Sequence, residues 1–564
     1  MVTGQLSAPR ELPPDTLRII PLGGLGDVGR NMSVLEINKQ LLLIDCGVLF
    51  PEDNQPGVDL ILPGLDYLDD RLDDVVGLVL THGHEDHIGA VPYLLRRRGD
   101  LDIYASQLTM AFLGSKLKEH RLGDAILHNV AEGDVVRLGR VGQASEFTCE
   151  FLAVNHSIPD SLAVAVKTKA GVVLHTGDFK MDQLPLDGRL TDLRGFARLG
   201  TAGVDLLMID STNAEVPGFT PWERETTPAL ERVFHNATSK IVVACFASHV
   251  HRVQQMLDLA AQYGRKACYV GRSMVRNMAI ARDLGYLHVP ENVLIEQDQL
   301  DTYPPDRVLV ISTGSQGEPL AALSRMANRD HPVEIKPGDV VLLASSLIPG
   351  NENSVFRVVN GLTRLGATVI HKGNAFVHVS GHASQGELLY TYNIVQPRNV
   401  MPVHGEIRHL VANANLAKST GVPNVIVAAD GDVVDMAGGV AKVVGRVDAS
   451  YIFVDGSTVG DISESSLTDR QILGEEGFIS IVAAVDLRQG TLVAGPDVHA
   501  RGFVEDPNAF DTITADIRGA LIGALNDGTD DVHTLSQVMR RAMGQWVSRS
   551  FHTRPMIVPV VIAI

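Results

Sequence analysis

The sequence predicts an α/β protein built as a β-sandwich flanked by helices. A parallel α/β domain is inserted into the sandwich, and a small α/β domain closes the chain. Three observations carry this. Short apolar segments between glycine turns crowd the first 220 residues, with few long helical stretches among them. From 221 to 355 helical and strand patterns alternate. A strand-rich style then returns and leads into a compact tail.

Leu17–Leu22, Met32–Ile37, Gln40–Asp45, Val75–Thr81, Ile103–Ala105, Val135–Leu138, Cys149–Val154, Leu162–Thr168, Gly171–Thr176 and Leu206–Asp210 read as strands, being apolar runs of strand length between turn formers. Helix Pro221–Ala237, strand Lys240–Ala244, helix Arg252–Tyr263, strand Lys266–Val270, helix Ser273–Leu284 and strand Arg307–Ser312 follow as βα units, which imply a parallel sheet. Ala367–His371, Asn399–Pro402 and Asn424–Ala428 read as strands again, and Gly and Asp punctuate Asp430–Gly460. In the tail, Phe478–Asp486, Thr491–Ala494 and Met556–Ile564 read as strands, and Ala515–Leu525 and Val532–Ser548 as helices. The expected boundaries are 1–220 for the first part of the core, 221–355 for the insert and 356–445 for the second part of the core. A linker over 446–465 and a C-terminal domain over 466–564 complete them.

Composition sets the class. With 45% hydrophobic and 20% charged residues, the 564-residue chain is globular rather than disordered or fibrous. The longest apolar candidates, Leu41–Phe50 and Met556–Ile564, fall short of the roughly 18 residues of a membrane helix. The polar, proline-bearing start MVTGQLSAPRELPPD has no apolar signal core, so the expectation is a cytoplasmic protein with no membrane partner. Cys46, Cys149, Cys245 and Cys268 form no CxxC pair and read as buried free thiols. A net charge of −19 argues against holding nucleic acid by bulk electrostatics, so any such role needs a local basic channel.

One motif decides the chemistry. The strand Val75–Thr81 runs into His82-Gly83-His84-Glu85-Asp86-His87, followed by an apolar helix from Ile88 to Leu95. Three imidazoles and a carboxylate in so short a loop are donors that zinc or manganese prefers. The spacing is too tight for one ion, and suits two ions a few Å apart, with His82 and His84 on one and Asp86 and His87 on the other.

This HxHxDH run resembles the signature of the metallo-β-lactamase superfamily, and later segments resemble its remaining motifs in order: Asn155-His156-Ser157, His175-Thr176-Gly177-Asp178 and Pro402-Val403-His404-Gly405-Glu406. The resemblance implies an αββα sandwich and two divalent metal ions per subunit, zinc first and manganese second. His156 would join the first ion, Asp178 would bridge, and His404 would join the second. Asp45 would act one shell out by orienting a ligand. The insert between Asp178 and His404 resembles the addition of the β-CASP nuclease branch. Its marker positions are matched by Asp210 in Ile209-Asp210-Ser211, by His382 in Ser380-Gly381-His382, and by His404, where histidine favours RNA over DNA. Within the branch the chain resembles the bacterial ribonuclease J family, through Phe50-Pro51-Glu52-Asp53, Ser312–Glu318, His378–Ser384 and the tail.

The resemblance implies a 5′-to-3′ exonuclease acting on single-stranded RNA with 5′-monophosphate ends, with some endonuclease activity, in mRNA decay and rRNA maturation. It also implies a homodimer or homotetramer and RNA-decay partners such as a helicase. His382, Asp210 and Asp86 form the expected catalytic set, with His382 protonating the leaving 3′-oxygen and Asp210 setting its charge. The 5′ end would be read by His378, Val379, Ser380, Gly381 and His382 together with Gly314, Ser315 and Gln316. Ser248, His251 and Arg252, at a helix start, would hold a phosphate or else form a simple N-cap with exposed histidines. Gly24-Leu25-Gly26-Asp27-Val28-Gly29 matches the dinucleotide fingerprint, but Met32–Ile37 alternates like a strand where that fingerprint needs a helix, so a turn beside the metal cleft is the reading. Two other classes compete: a small-molecule metallohydrolase, which needs no insert, and a non-catalytic RNA scaffold, which needs no full ligand set.

Overall fold

The computed structural model of the protein describes residues 8–52, 54–140, 142–347, 351–504 and 506–564; Asp53 of the Phe50–Asp53 motif and the first seven residues lie outside them. The chain forms two compact units, residues 1–50 with 60–452, and residues 51–59 with 453–564.

In the first unit two large sheets face each other. One has eight strands in the spatial order Val440–Arg446, Asp432–Ala437, Leu17–Gly23, Met32–Ile37, Gln40–Ile44, Val75–Val79, Asp102–Ala105 and Ile126–Asn129. The other has seven, in the order Asn424–Val425, Asn399–Val403, Leu206–Asp210, Gly171–His175, Leu162–Thr168, Phe147–Ala153 and Val135–Leu138. Each sheet is antiparallel over one part and parallel over the other; Gln40–Ile44 with Val75–Val79, and Gly171–His175 with Leu206–Asp210, are parallel pairs. Leu35, Leu42 and Val79 of the first sheet pack on Phe151, Val164 and Met208 of the second, and that apolar layer is the sandwich core. Helices Leu193–Ala202 and Gln385–Val395 cover the outer face of the second sheet through Phe196, Leu199, Leu388 and Tyr392.

The insert carries a wholly parallel five-stranded sheet, in the order Lys266–Val270, Val308–Ser312, Ile241–Ala244, Val340–Leu343 and Thr368–Ile370. It therefore runs past the expected edge at 355, because Thr368–Ile370 pairs with Val340–Leu343 rather than returning to the core. The punctuated stretch after Asp430 also differs from expectation. Asp432–Ala437 and Val440–Arg446 are strands of the first sheet, the latter at its edge, and the expected linker holds the strands Ile452–Asp455 and Thr458–Val459. Glycines at the hairpin tip (Gly438 and Gly439, both at positive φ) made these strands read as loop.

The second unit has its own core. Strands Thr491–Arg501, Phe478–Asp486 and Met556–Ala563 pack against helices Asp511–Asn526 and Val532–Ser550 through Ile479, Ile481, Ile517, Leu521, Met539 and Met543. All four cysteines are buried free thiols. Among the described residues no helix is long and apolar enough to cross a membrane.

Candidate metal centre

Most of the chemically committed side chains stand at or just past the carboxyl end of a parallel strand in one of the two facing sheets. Asp45 follows Gln40–Ile44, the HGHEDH run follows Val75–Val79, Asp178 follows Gly171–His175, Asp210 ends its strand, and His404 follows Asn399–Val403. Chain leaving a sheet is free of ladder hydrogen bonds and can turn several side chains toward one point. Asp45 (φ 60°) and His404 (φ 55°) adopt the left-handed backbone that most non-glycine residues avoid. Gly47 is pressed against the short helix Glu85–Ile88, where a Cβ would lie 1.6 Å from the Asp86 carbonyl oxygen.

Two donor groups result, and a third, Asp178, Asp210, His382 and His404, overlaps the second. His82, His84 and His156 bring ring nitrogens within 4.8 Å of one another, and Asp86, His87, Asp178 and His404 do the same with their donors. Asp178 belongs to both sides. Its Oδ2 is 3.8 Å from Nε2 of His82 and of His156, and 3.3 Å from Nε2 of His87 and of His404.

Electrostatics separate the groups. Burial, reinforced by neighbouring imidazoles, holds His82 and His156 well below the usual histidine range and His84 down to about 4, so all three are neutral at physiological pH. For His87, burial is outweighed by Asp178, Asp86 and Asp45, which raise its pKa well above the ordinary value. Asp178 is held far below the usual carboxylate range, its burial overcome by His404 and His87. Nitrogen and carboxylate donors at this spacing fit a divalent cation, which would displace the His87 proton.

Polar contacts orient the rings from behind. His87 Nδ1 lies 2.8 Å from Asp45 Oδ2, and Asp45 accepts from the Thr81 amide at 2.8 Å. His404 Nδ1 is 2.8 Å from Asn31 Oδ1, and Asn31 Nδ2 donates to the Asp86 carbonyl at 3.1 Å. His156 Nδ1 sits 2.7 Å from the Gly381 carbonyl. In each case the other nitrogen faces the donor groups, the usual arrangement for a metal-binding imidazole. Asn31 and Thr81 were not found from sequence. The signal for Asn31 lay in the Gly24–Gly29 turn: a Cβ on Gly24 would meet Asn31 Oδ1 at 2.3 Å, and Leu25 pairs with Gly405 beside His404.

His382 approaches from the loop before Gln385–Val395. Its Nδ1 is 2.8 Å from Asp210 Oδ2 and 4.0 Å from Asp178 Oδ2, and its carbonyl accepts from Thr220 Oγ1 (2.7 Å) and Asn213 Nδ2 (3.0 Å). Burial opposes a charge on His382, but Asp210, with Asp178 and Asp86, lifts its pKa to about 9.

The expected substrate set divides. Ser380 accepts from the His382 amide at 3.2 Å, His378 and Val379 are buried, and Gly381 lies so close to His156 that a Cβ would be 2.8 Å from its ring, so this segment joins the metal centre. Gly314, Ser315 and Gln316, expected to help read the 5′ end, form a closed turn of the insert. Ser315 and Gln316 are buried, the Gln316 amide bonds Glu318, and Gln316 Nε2 donates to the Ser346 carbonyl, so the turn spends its polar groups internally. Arg252 is likewise corrected. It is fully buried, donating to Glu223 Oε2 (2.9 Å) and Thr226 Oγ1 (2.9 Å), because its helix begins at Val250 and turns it inward. His251 pairs with Asp187 at 3.1 Å; Ser248 alone of that trio stays half-buried with no bond to either.

The fold and the paired donor groups define a metallo-β-lactamase hydrolase with a β-CASP insert, and family models agree. The metallo-beta-lactamase superfamily matches residues 25–209, and the zinc-dependent metallo-hydrolase RNA specificity domain matches 368–427. The ribonuclease J beta-CASP domain matches 238–362 and the ribonuclease J C-terminal domain 465–564. The chain is 49% identical to ribonuclease J of Mycolicibacterium smegmatis, covering 100% of both chains. It is 39% identical to ribonuclease J of Thermus thermophilus (98% of this chain, 96% of that one) and 37% identical to ribonuclease J2 of Bacillus subtilis (98% and 99%). A crystal structure of a protein of unknown function from Enterococcus faecalis shares the fold at a TM-score of 0.52 and 14% identity, covering 74% of this chain and all of that one. The chain belongs to the ribonuclease J family, and is a metal-dependent ribonuclease.

Proposed function

We propose that the enzyme degrades single-stranded RNA from its 5′ end, 5′ to 3′, preferring a 5′-monophosphate and retaining some endonuclease activity. The observation that carries the catalytic reading is Asp178 Oδ2 facing both donor groups while His382 stands beside it on Asp210. On this reading His82, His84 and His156 would hold one divalent ion and Asp86, His87 and His404 a second, with Asp178 available to both; zinc is the first choice and manganese the second. Bound there, the ions would supply a nucleophile at neutral pH and charge to stabilise the phosphoryl transition state. The chain's own groups do the rest. Asp45, Asn31 and the Gly381 carbonyl fix the imidazole tautomers. His382 keeps Nδ1 on Asp210, so its Nε2 proton is available to the departing 3′-oxygen, with Asp210 as its counter-charge. Attack in line leaves a 5′-phosphate and a 3′-hydroxyl.

End recognition falls to His378–His382, because Ser380 and Gly381 lie one or two residues from His382. A terminal phosphate held there leaves a single nucleotide's reach to the scissile bond. With the Gly314–Gln316 turn closed, Ser248 is the insert's remaining candidate. The same reading places the enzyme in cytoplasmic mRNA decay and rRNA maturation, as a homodimer or homotetramer working with partners such as a helicase. The test is one RNA labelled at either end, carrying a 5′-mono- or triphosphate. Mononucleotide release from the monophosphate form, much faster than from the triphosphate, is expected. Equal rates on both, with products only from internal cuts, overturn the exonuclease reading.

A further inference from the structure

Glu387 is a buried carboxylate outside the donor groups that the mechanism leaves unused, 1% exposed on the first turn of helix Gln385–Val395. It accepts three backbone amides from three separate stretches of chain. Oε2 takes Ser384 N at 2.8 Å and Thr220 N at 2.9 Å, and Oε1 takes Met181 N at 2.8 Å. The Ser384 bond is an ordinary capping box and accounts for one of the three. The other two do nothing for the helix. Met181 lies three residues beyond Asp178. Thr220 stands where the chain leaves the core for the insert, and its hydroxyl donates to the His382 carbonyl at 2.7 Å and pairs with Ser384 Oγ at 2.8 Å. One carboxylate therefore ties together the loop bearing Asp178, the loop bearing His382 and the passage into the insert.

We propose that Glu387 is a positioning residue for catalysis, holding His382 at its working distance from Asp178 and the scissile bond. The inference rests on the reading of His382 as leaving-group acid. Charge is needed as well as shape. A glutamine at this position offers one acceptor oxygen and turns an NH2 toward backbone N–H groups, so the three loops cannot all stay in place. Displacement of a reacting group by about 1 Å costs up to about 10²-fold in rate.

The experiment compares the metal-loaded full chain with Glu387→Gln, His382→Ala and the double variant, measuring kcat, KM, bound metal and Tm. Expected for Glu387→Gln is a kcat lowered by about 10- to 100-fold, with KM and metal content unchanged. In the His382→Ala background the same change should cost nothing further, since the two act as one unit. A lower Tm with undiminished kcat per metal-loaded molecule makes Glu387 purely structural and overturns the inference. So does a full additional loss on top of His382→Ala. Unimpaired turnover in His382→Ala overturns the leaving-group reading, and the inference with it. Where Glu387→Gln does not fold, Thr220→Val removes only the hydroxyl on the His382 carbonyl. It should lower kcat in the same non-additive way, and full activity in it overturns the inference.

Discussion

Asp178 and Glu223 are both carboxylates with 2% exposure in the same compact unit, yet their positive surroundings come from different sources. Glu223 sits chiefly on the guanidinium and ammonium of Arg252 (Nη2 at 2.9 Å) and Lys180 (Nζ at 3.4 Å), with His249 Nε2 at 3.5 Å and Asp182 accepting the Glu223 amide at 3.0 Å. Asp178 faces imidazoles, from His82, His87, His156 and His404. Arginine keeps its charge in any environment, so the first cluster is neutralised by its own chain and pins the insert to the core. Imidazoles can give up their protons, so the second becomes an anionic, nitrogen-rich set that a dication completes. The source of the positive charge separates a structural cluster of buried charge from a metal-binding one.

Four substitutions sharpen or break this comparison. The largest effect is expected from Asp178→Asn, which removes the carboxylate shared by both donor groups. Cleavage should fall to background and bound metal should drop with little change in circular dichroism; retained metal and activity would refute a bridging role. Next is His382→Ala, expected to slow turnover by about 10²–10⁴-fold, the range for a lost general acid. Metal content, read by elemental analysis, should hold; loss of an ion would make His382 a ligand instead.

Arg252→Met should act on the other cluster, removing about 3–5 kcal/mol of stability by leaving Glu223 buried without its closest partner. Metal bound per folded molecule should not change. The pH dependence carries a sign. Burial alone would raise the Glu223 pKa, but Lys180 and Arg252 hold it well below its ordinary 4.5. Its contribution to stability is therefore complete above that value and is lost only as pH falls through the depressed one. Without Arg252 the loss begins at higher pH, so the acid-unfolding midpoint should move up; an unmoved midpoint would mean Lys180 suffices. The smallest effect is expected from Asn31→Ala, about 10- to 100-fold in metal affinity, as for other groups that orient a metal-bound histidine. Chelator competition would show it, and unchanged affinity would leave His404 oriented by its left-handed backbone alone.

Legibility in the sequence followed locality. The HGHEDH run could be read because its four donors are adjacent and follow an apolar strand. The segments around His156, Asp178 and His404 each close a strand in the same way. Glu387 and Glu223 could not be read. Each is one acidic residue in a helical stretch, and what distinguishes them is a partner far along the chain, Thr220 and Met181 for the first and Lys180 for the second. Arg252 misled because it was read at a helix start, and Ser315 because it follows a strand in polar, loop-like sequence; only packing shows that both are buried.

The sequence by itself determined the layered α/β architecture, the inserted parallel sheet, and which donors belong to a metal-binding run, since hydrophobic period and contiguous motif are local properties. Tertiary structure alone decided that one oxygen of Asp178 faces both donor groups, that Asn31 lies behind His404 and Asp45 behind His87, and that Arg252 lies in a buried ionic seam rather than a channel. Those facts depend on distances between strands and loops far apart in sequence, and such distances are set only when two sheets close on a common core.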